Sequence, residues 1–99
     1  ELNEDLTAPM KDGLLRLLVS DHKNPELGYE GSHIQKINGY YYIFLVHSLR
    51  DRWMRTEACF YSDSLEGEFT GGDVLCDDRG YCGQGVAQGG IVDTPDGKW

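Results

Sequence analysis

One carboxylate stands out for its setting. Glu30 lies in Leu27-Gly28-Tyr29-Glu30-Gly31-Ser32-His33, ahead of an apolar strand pattern, with glycine close on both sides and an aromatic ring beside it. A carboxyl at the mouth of a buried strand, next to an aromatic ring, is placed to have a raised pKa, which a general acid needs near neutral pH. Most glutamates are surface residues, so on spacing alone a solvated loop position is the commoner case. A second constellation is Gln84-Gly85-Val86-Ala87-Gln88-Gly89-Gly90. Its glycines let a backbone or a ligand approach closely, and Gln88 beside them offers both donor and acceptor groups. A sugar hydroxyl suits such a group, and so does an ordinary backbone partner. Arg55, which ends the charged stretch 48–55, joins Gln88 as a candidate for substrate binding.

Other chemistries find less support. The acidic segment Asp73-Val-Leu-Cys-Asp77-Asp78-Arg79 has the oxygen ligands calcium prefers but not the spacing of a helix-loop-helix calcium site, which favours a solvated turn. His22, His33 and His47 form no zinc pattern with Cys59, Cys76 and Cys82, so no metal site is assigned; His33 and His47 read as side chains packed at strand ends. Gly80-Tyr-Cys-Gly-Gln-Gly lacks the Lys-Ser/Thr ending of a phosphate loop, and there is no Gly-x-Ser-x-Gly elbow. With 17 Asp+Glu against 9 Lys+Arg, the net charge of −8 argues against a nucleic-acid partner and against an anionic membrane surface. No apolar run approaches the roughly 20 residues of a membrane-spanning helix. An odd cysteine count leaves at least one thiol outside any intrachain pair. With no leader visible after Glu1, this slightly favours a cytoplasmic location.

The elements that must position these residues read as β-strands. The chain has 99 residues, room for one domain, and 13 of them are glycine, nearly twice the usual share of about 7%. The apolar run 13–20 reads as a short strand. Ser32–Ile37 is a strand, Asn38-Gly39 is a strong hairpin signal, and Tyr40–His47 is an aromatic and β-branched strand. Thr56–Ser62 reads as a third strand and Glu68–Thr70 as a short one. Residues 71–85 read as loop, broken by Val74-Leu75. Val86–Asp93 reads as a strand with a bulge at Gly89-Gly90, and Thr94-Pro95-Asp96-Gly97 as a type I turn into a strand that begins at Lys98. The aromatic residues, among them Tyr40, Tyr41, Tyr42, Trp53 and Trp99, could stack on sugars, but core and cross-strand pairs account better for most of them. A final hairpin whose second strand stops after two residues leaves an open edge. The chain is therefore expected to be part of a larger all-β protein, or to complete itself by pairing.

Three segments together resemble glycoside hydrolase family 43: Tyr29–Phe44, Ser62–Phe69 and Gly85–Trp99, in the family's order. The Gln-Gly-Val-Ala-Gln-Gly-Gly wording is most similar to the β-xylosidase and α-L-arabinofuranosidase branch. The resemblance implies a five-bladed β-propeller of four-stranded antiparallel blades, of which residues 1–99 would supply about one blade and the start of the next. It implies an inverting hydrolase in which Glu30 is the general acid, while the base and a tuning Asp lie upstream of this chain. The substrate implied is a xylo- or arabino-oligosaccharide with terminal xylosyl or arabinosyl residues. No cofactor is implied beyond a structural calcium in the complete propeller. Gln88 stands where many members carry a His near a central metal or water, which sets this chain apart, and Glu30-Gly31-Ser32 replaces the common Glu-Gly-Pro. The partners expected are the missing blades or a second copy of the chain, and the 99 residues alone are expected to be inactive.

Overall fold

The computed structural model describes residues 2–13, 16–77, 80, 85 and 87–99. Four strands, β1 (Glu30–Ile37), β2 (Tyr40–Ser48), β3 (Arg55–Ser62) and β4 (Thr70–Leu75), pair antiparallel in the order β1-β2-β3-β4. The chain is all-β, and this single open meander has the form of one propeller blade. Among the described residues no helix is long and apolar enough to cross a membrane.

The Asn38-Gly39 hairpin forms as its sequence predicts. Both residues take positive φ, 51° and 85°, the geometry of a two-residue turn that matches the twist of the flanking strands. β2 then carries the sheet. Its alternate residues Ile43 and Leu45, each 6% exposed, join Phe69 in the core. Leu18, Val19, Tyr29, Tyr41, Phe60 and Leu65 pack around them. Each such aliphatic side chain contributes about 1.5–3 kcal/mol when fully buried. Tyr40, Tyr42, Phe44 and Val46 alternate onto the opposite, outer face. There Tyr61 of β3 meets Tyr40 and Tyr42 with ring centroids 6.2 and 6.1 Å apart, so these tyrosines are cross-strand pairs.

Three expected elements differ. Residues 16–20 form no strand; they run as an extended cover over the core face, held where the Arg16 guanidinium donates to the carbonyls of Leu65 and Gly67. Leu18 and Val19 pack inward while Leu17 is exposed, so the apolar run reflects packing on a sheet face and not membership of the sheet. The glycine-rich stretch after Thr70 is no loop at its start but strand β4. Gly71 lies so close to β3 that a Cβ there would collide with the Cys59 carbonyl oxygen, so the glycine is what permits this pairing. Phe69, expected inside a strand of its own, enters the core just ahead of β4. Finally, residues 87–93 form no strand, because Gly85 and Gln88 take positive φ (75° and 68°), which breaks an extended run. The turn at 94–97 does close, with Gly97 N–H donating to the Thr94 carbonyl at 2.9 Å, but Lys98 starts no strand.

Gly71 and Gly72 provide an internal comparison. Gly71→Ala should lose about 2–3 kcal/mol by forcing β4 off β3. Gly72→Ala, where the added methyl meets nothing within 4 Å, should stay within about 1 kcal/mol of the parent. Urea denaturation of the two variants checks this, and equal losses would contradict it.

Candidate functional site

β1 does not pair evenly with β2. From Ile37 to His33 the register is regular, but Glu30 pairs with Val46 where an unbroken ladder would set it opposite His47. One extra residue is accommodated in β1, at a bulge whose Gly31 has φ +60°. The consequence is a change of face. Side chains alternate along a strand, so without the bulge Glu30 would share the core face with Ile34 and Lys36. With it, Tyr29 turns into the core face, 4.8 Å from the His47 ring and 5.6 Å from Phe60, while Glu30 joins Val46 on the outer face. The setting therefore departs from the sequence expectation: Glu30 is exposed, and the neighbouring aromatic ring lies on the other side of the sheet.

The candidate substrate-binding residues gather at the same end. Val46 also pairs with Glu57 of β3, and Ser48 pairs with Arg55. Glu30, Glu57 and, by alternation, Arg55 thus share the outer face. Gln88 comes to them from the irregular segment that follows β4. Its side-chain amide lies against Gly31, 3.2 Å from where a Cβ would stand, and Val46 Cγ1 is 3.3 Å from the same point. Gly89 N–H donates to Glu57 Oε1 at 3.0 Å. Of the glycines beside Gln88 from which the sequence predicts close approach, Gly89 shows it and Gly90 has nothing within 4 Å, while Gly31, read only as a neighbour of Glu30, is approached as closely as Gly89. Glu57 drew no attention in the sequence, where it is one polar position in an alternating strand.

A second polar cluster lies on the core face, and sequence reasoning separated its members. His47 is 7% exposed and sits between two carboxylates: Nδ1 is 2.7 Å from Asp21 Oδ2, and Nε2 is 2.5 Å from Asp73 Oδ1. Asp21 also accepts from Asn24 Nδ2 at 2.7 Å, from Arg50 Nε at 2.9 Å and from Arg50 Nη2. Asp73 is therefore a strand residue facing an imidazole, not part of a calcium loop. Of that acidic segment, Asp78 and Arg79 lie outside the described residues, as does Cys82. Among the described residues no group of three or more His, Cys, Asp or Glu could hold a metal ion. His47 does close a strand, as expected, whereas His33 is exposed within β1. The unbroken β3–β4 register sets Asp73 opposite Ala58, just before the bulge between Ala58 and Glu57, and no local pattern in the sequence reveals that pairing.

The electrostatics follow from burial and pairing. Burial alone would lower the His47 pKa, but hydrogen bonds and charge from Asp21 and Asp73 outweigh it, so the imidazole is held above its ordinary 6.5. Burial likewise opposes ionisation of Asp21, yet its bonds to Asn24, His47 and Arg50 prevail and hold it below 3.8. The Tyr29 hydroxyl is raised by burial first, then by Asp21 and Asp73. Cys59 is raised by burial and by the Glu57 charge.

The chain is similar to a bifunctional GH43-CE protein of Bacteroides eggerthii, with 39% identity and a TM-score of 0.75. The likeness covers 97% of this chain and 12% of that one. No family model and no curated protein matches the chain. The chain spans only 12% of that protein's length, and the likeness is in line with the resemblance to glycoside hydrolase family 43 read from the sequence.

Two expectations follow from this geometry. Gly31→Ala should cost about 1–2 kcal/mol, because a side chain at positive φ is strained and the new methyl crowds both Gln88 and Val46. Thermal denaturation measures it. The His47 contribution should depend on pH in a stated direction. A raised folded pKa gives stability that is complete below about 6.5 and lost as pH rises through the folded value. The lowered Asp21 pKa gives stability present above about 3.8 and lost as pH falls through its folded value. Melting temperature should therefore be highest between those limits and decline on the alkaline side, and His47→Gln should abolish the alkaline decline.

Proposed function

We propose that the chain is the acid-bearing blade of an inverting glycoside hydrolase that removes terminal xylosyl or arabinosyl residues, with Glu30 as proton donor. The observation that carries this reading is the bulge at Gly31, which sets Glu30 on the open face of the sheet beside Gln88. Bulges re-aim side chains next to active sites. The 39% identity to a GH43-CE protein across 97% of the chain supports the same reading.

In this mechanism the Glu30 carboxyl protonates the glycosidic oxygen as the bond to the anomeric carbon breaks. A carboxylate from another blade, about 6.5–9.5 Å away, activates water on the opposite face of the sugar. Gln88 and Arg55 offer hydrogen bonds to sugar hydroxyls. The natural partners on this reading are a xylo- or arabino-oligosaccharide and the remaining blades, and the 99 residues alone turn over nothing because the base is elsewhere. A structural calcium belongs, on the same reading, to the complete propeller.

The test exploits leaving-group chemistry in the protein that carries the complete propeller. Dinitrophenolate departs without protonation, whereas the alkoxide of a xylo-oligosaccharide does not. Glu30→Gln should lower kcat/KM on the oligosaccharide by about 10²–10⁴-fold, equivalent to roughly 3–5.5 kcal/mol of barrier, and far less on the dinitrophenyl glycoside. Equal losses on both substrates would remove Glu30 from the acid role. A change in sugar affinity with no turnover by the parent would instead indicate a binding module.

A further inference from the structure

We infer that Glu57 is a positioning residue: by holding the Gly89 amide it fixes Gln88 against Gly31 and so shapes the surface beside the acid. The inference rests on the reading of Glu30 given above.

Glu30 on β1 and Glu57 on β3 flank the same residue, Val46 of β2, each strand about 4.8 Å from β2, and both project to the outer face. Val46 is 2% exposed, so something covers it on the outer face. The Gln88 side chain lies 3.2 Å, and Val46 Cγ1 3.3 Å, from the point where a Gly31 Cβ would stand, so the two border the same space left by the missing side chain. Gln88 reaches this place at a cost. Its φ of +68° lies in the left-handed region, which costs a non-glycine residue of order 1 kcal/mol or more and persists only when its surroundings impose it. The imposing contact is next door, the 3.0 Å hydrogen bond from Gly89 N–H to Glu57 Oε1. Both Glu57 oxygens lie 3.3 Å from where a Gly89 Cβ would stand, so the missing side chain is what lets the carboxylate approach. An ionised acceptor makes a stronger bond to a backbone amide than a neutral one. An acceptor in mid-strand, rather than the apolar residue that a half-buried sheet position would accept, is thereby accounted for.

The experiment uses the protein with its complete propeller and two readouts, hydrogen exchange at the Gly89 amide and kcat/KM on a xylo-oligosaccharide. Glu57→Met keeps the length of the side chain and removes the acceptor; Glu57→Gln keeps an acceptor. Glu57→Met should expose the Gly89 amide to exchange and lower kcat/KM by about 10–100-fold, the scale of a site group displaced by about 1 Å. Gln88→Ala should give a similar loss, and the double variant no more than the larger single loss, because both act through one contact. Glu57→Gln should retain protection and stay within about threefold of the parent. Gly89→Ala, which crowds the carboxylate from the other side, should reproduce Glu57→Met and stands in for it if that variant does not fold. A protected Gly89 amide in Glu57→Met, or losses that multiply in the double variant, would overturn the inference. A parent protein that cleaves no glycoside would overturn the reading of Glu30, while exchange at Gly89 would still decide whether Glu57 holds the corner.

Discussion

The imidazole of His47, clasped between Asp21 and Asp73, ties together three separate parts of the chain. Asp21 comes from the irregular segment ahead of the sheet, His47 from the end of β2 and Asp73 from the edge strand β4. Arg50 and Asn24 complete the ring of donors, and Ser48, fully buried beside His47, exchanges backbone and side-chain hydrogen bonds with Leu27. A buried charged group left without its partner costs about 3–5 kcal/mol, so each member holds the others in place. Among the described residues every buried side-chain polar atom has a partner. The Tyr29 ring rests on this cluster, and Glu30 follows it in the chain, so the cluster anchors the entry to β1.

The bulge at Gly31 converts that anchor into an arrangement for chemistry. Two consecutive residues go to opposite faces: Tyr29 into the core, where its ring is needed for packing, and Glu30 to the open side. An unbulged strand would put the carboxylate opposite His47, among the Asp21 and Asp73 carboxylates. Like charges there would raise the cost of ionising all three. A single inserted residue removes that conflict and places Glu30 near the Gln88 corner. The glycine allows both the positive φ and the approach of the glutamine amide.

The core-face cluster and the outer-face corner use the same strands for different purposes. Val46 and His47 are neighbours on β2, yet one is flanked by Glu30 and Glu57 and the other by Asp21 and Asp73. The sheet separates two sets of carboxylates that would otherwise repel one another. In the set around His47, Asp21 is buried and both carboxylates are bonded to the imidazole, which gives rigidity. The other is exposed or half-buried, which suits contact with a ligand.

Local sequence was sufficient for the hairpin and the two strands beside it. Asn38-Gly39 demands positive φ at both positions, and the alternation of Tyr40–His47 follows from a pleat with one apolar face, so neither depends on distant contacts. Thr56–Ser62 was legible for the same reason. The position of Glu30 at the start of a strand, with a glycine after it, was also readable. What local sequence could not hold was anything set by register or by approach between strands. Glycines at 71 and 72 read as loop because their role is to let two backbones come close, which appears only once β3 is beside them. The apolar run near residue 18 read as strand because burial on a sheet face and burial within a sheet select the same side chains. The segment around Gln88 read as strand because its positive φ is imposed by Glu57, 31 residues earlier. Asp21, His47 and Asp73 are each 26 residues from the next, and only the pairing of four strands brings one imidazole within reach of both carboxylates.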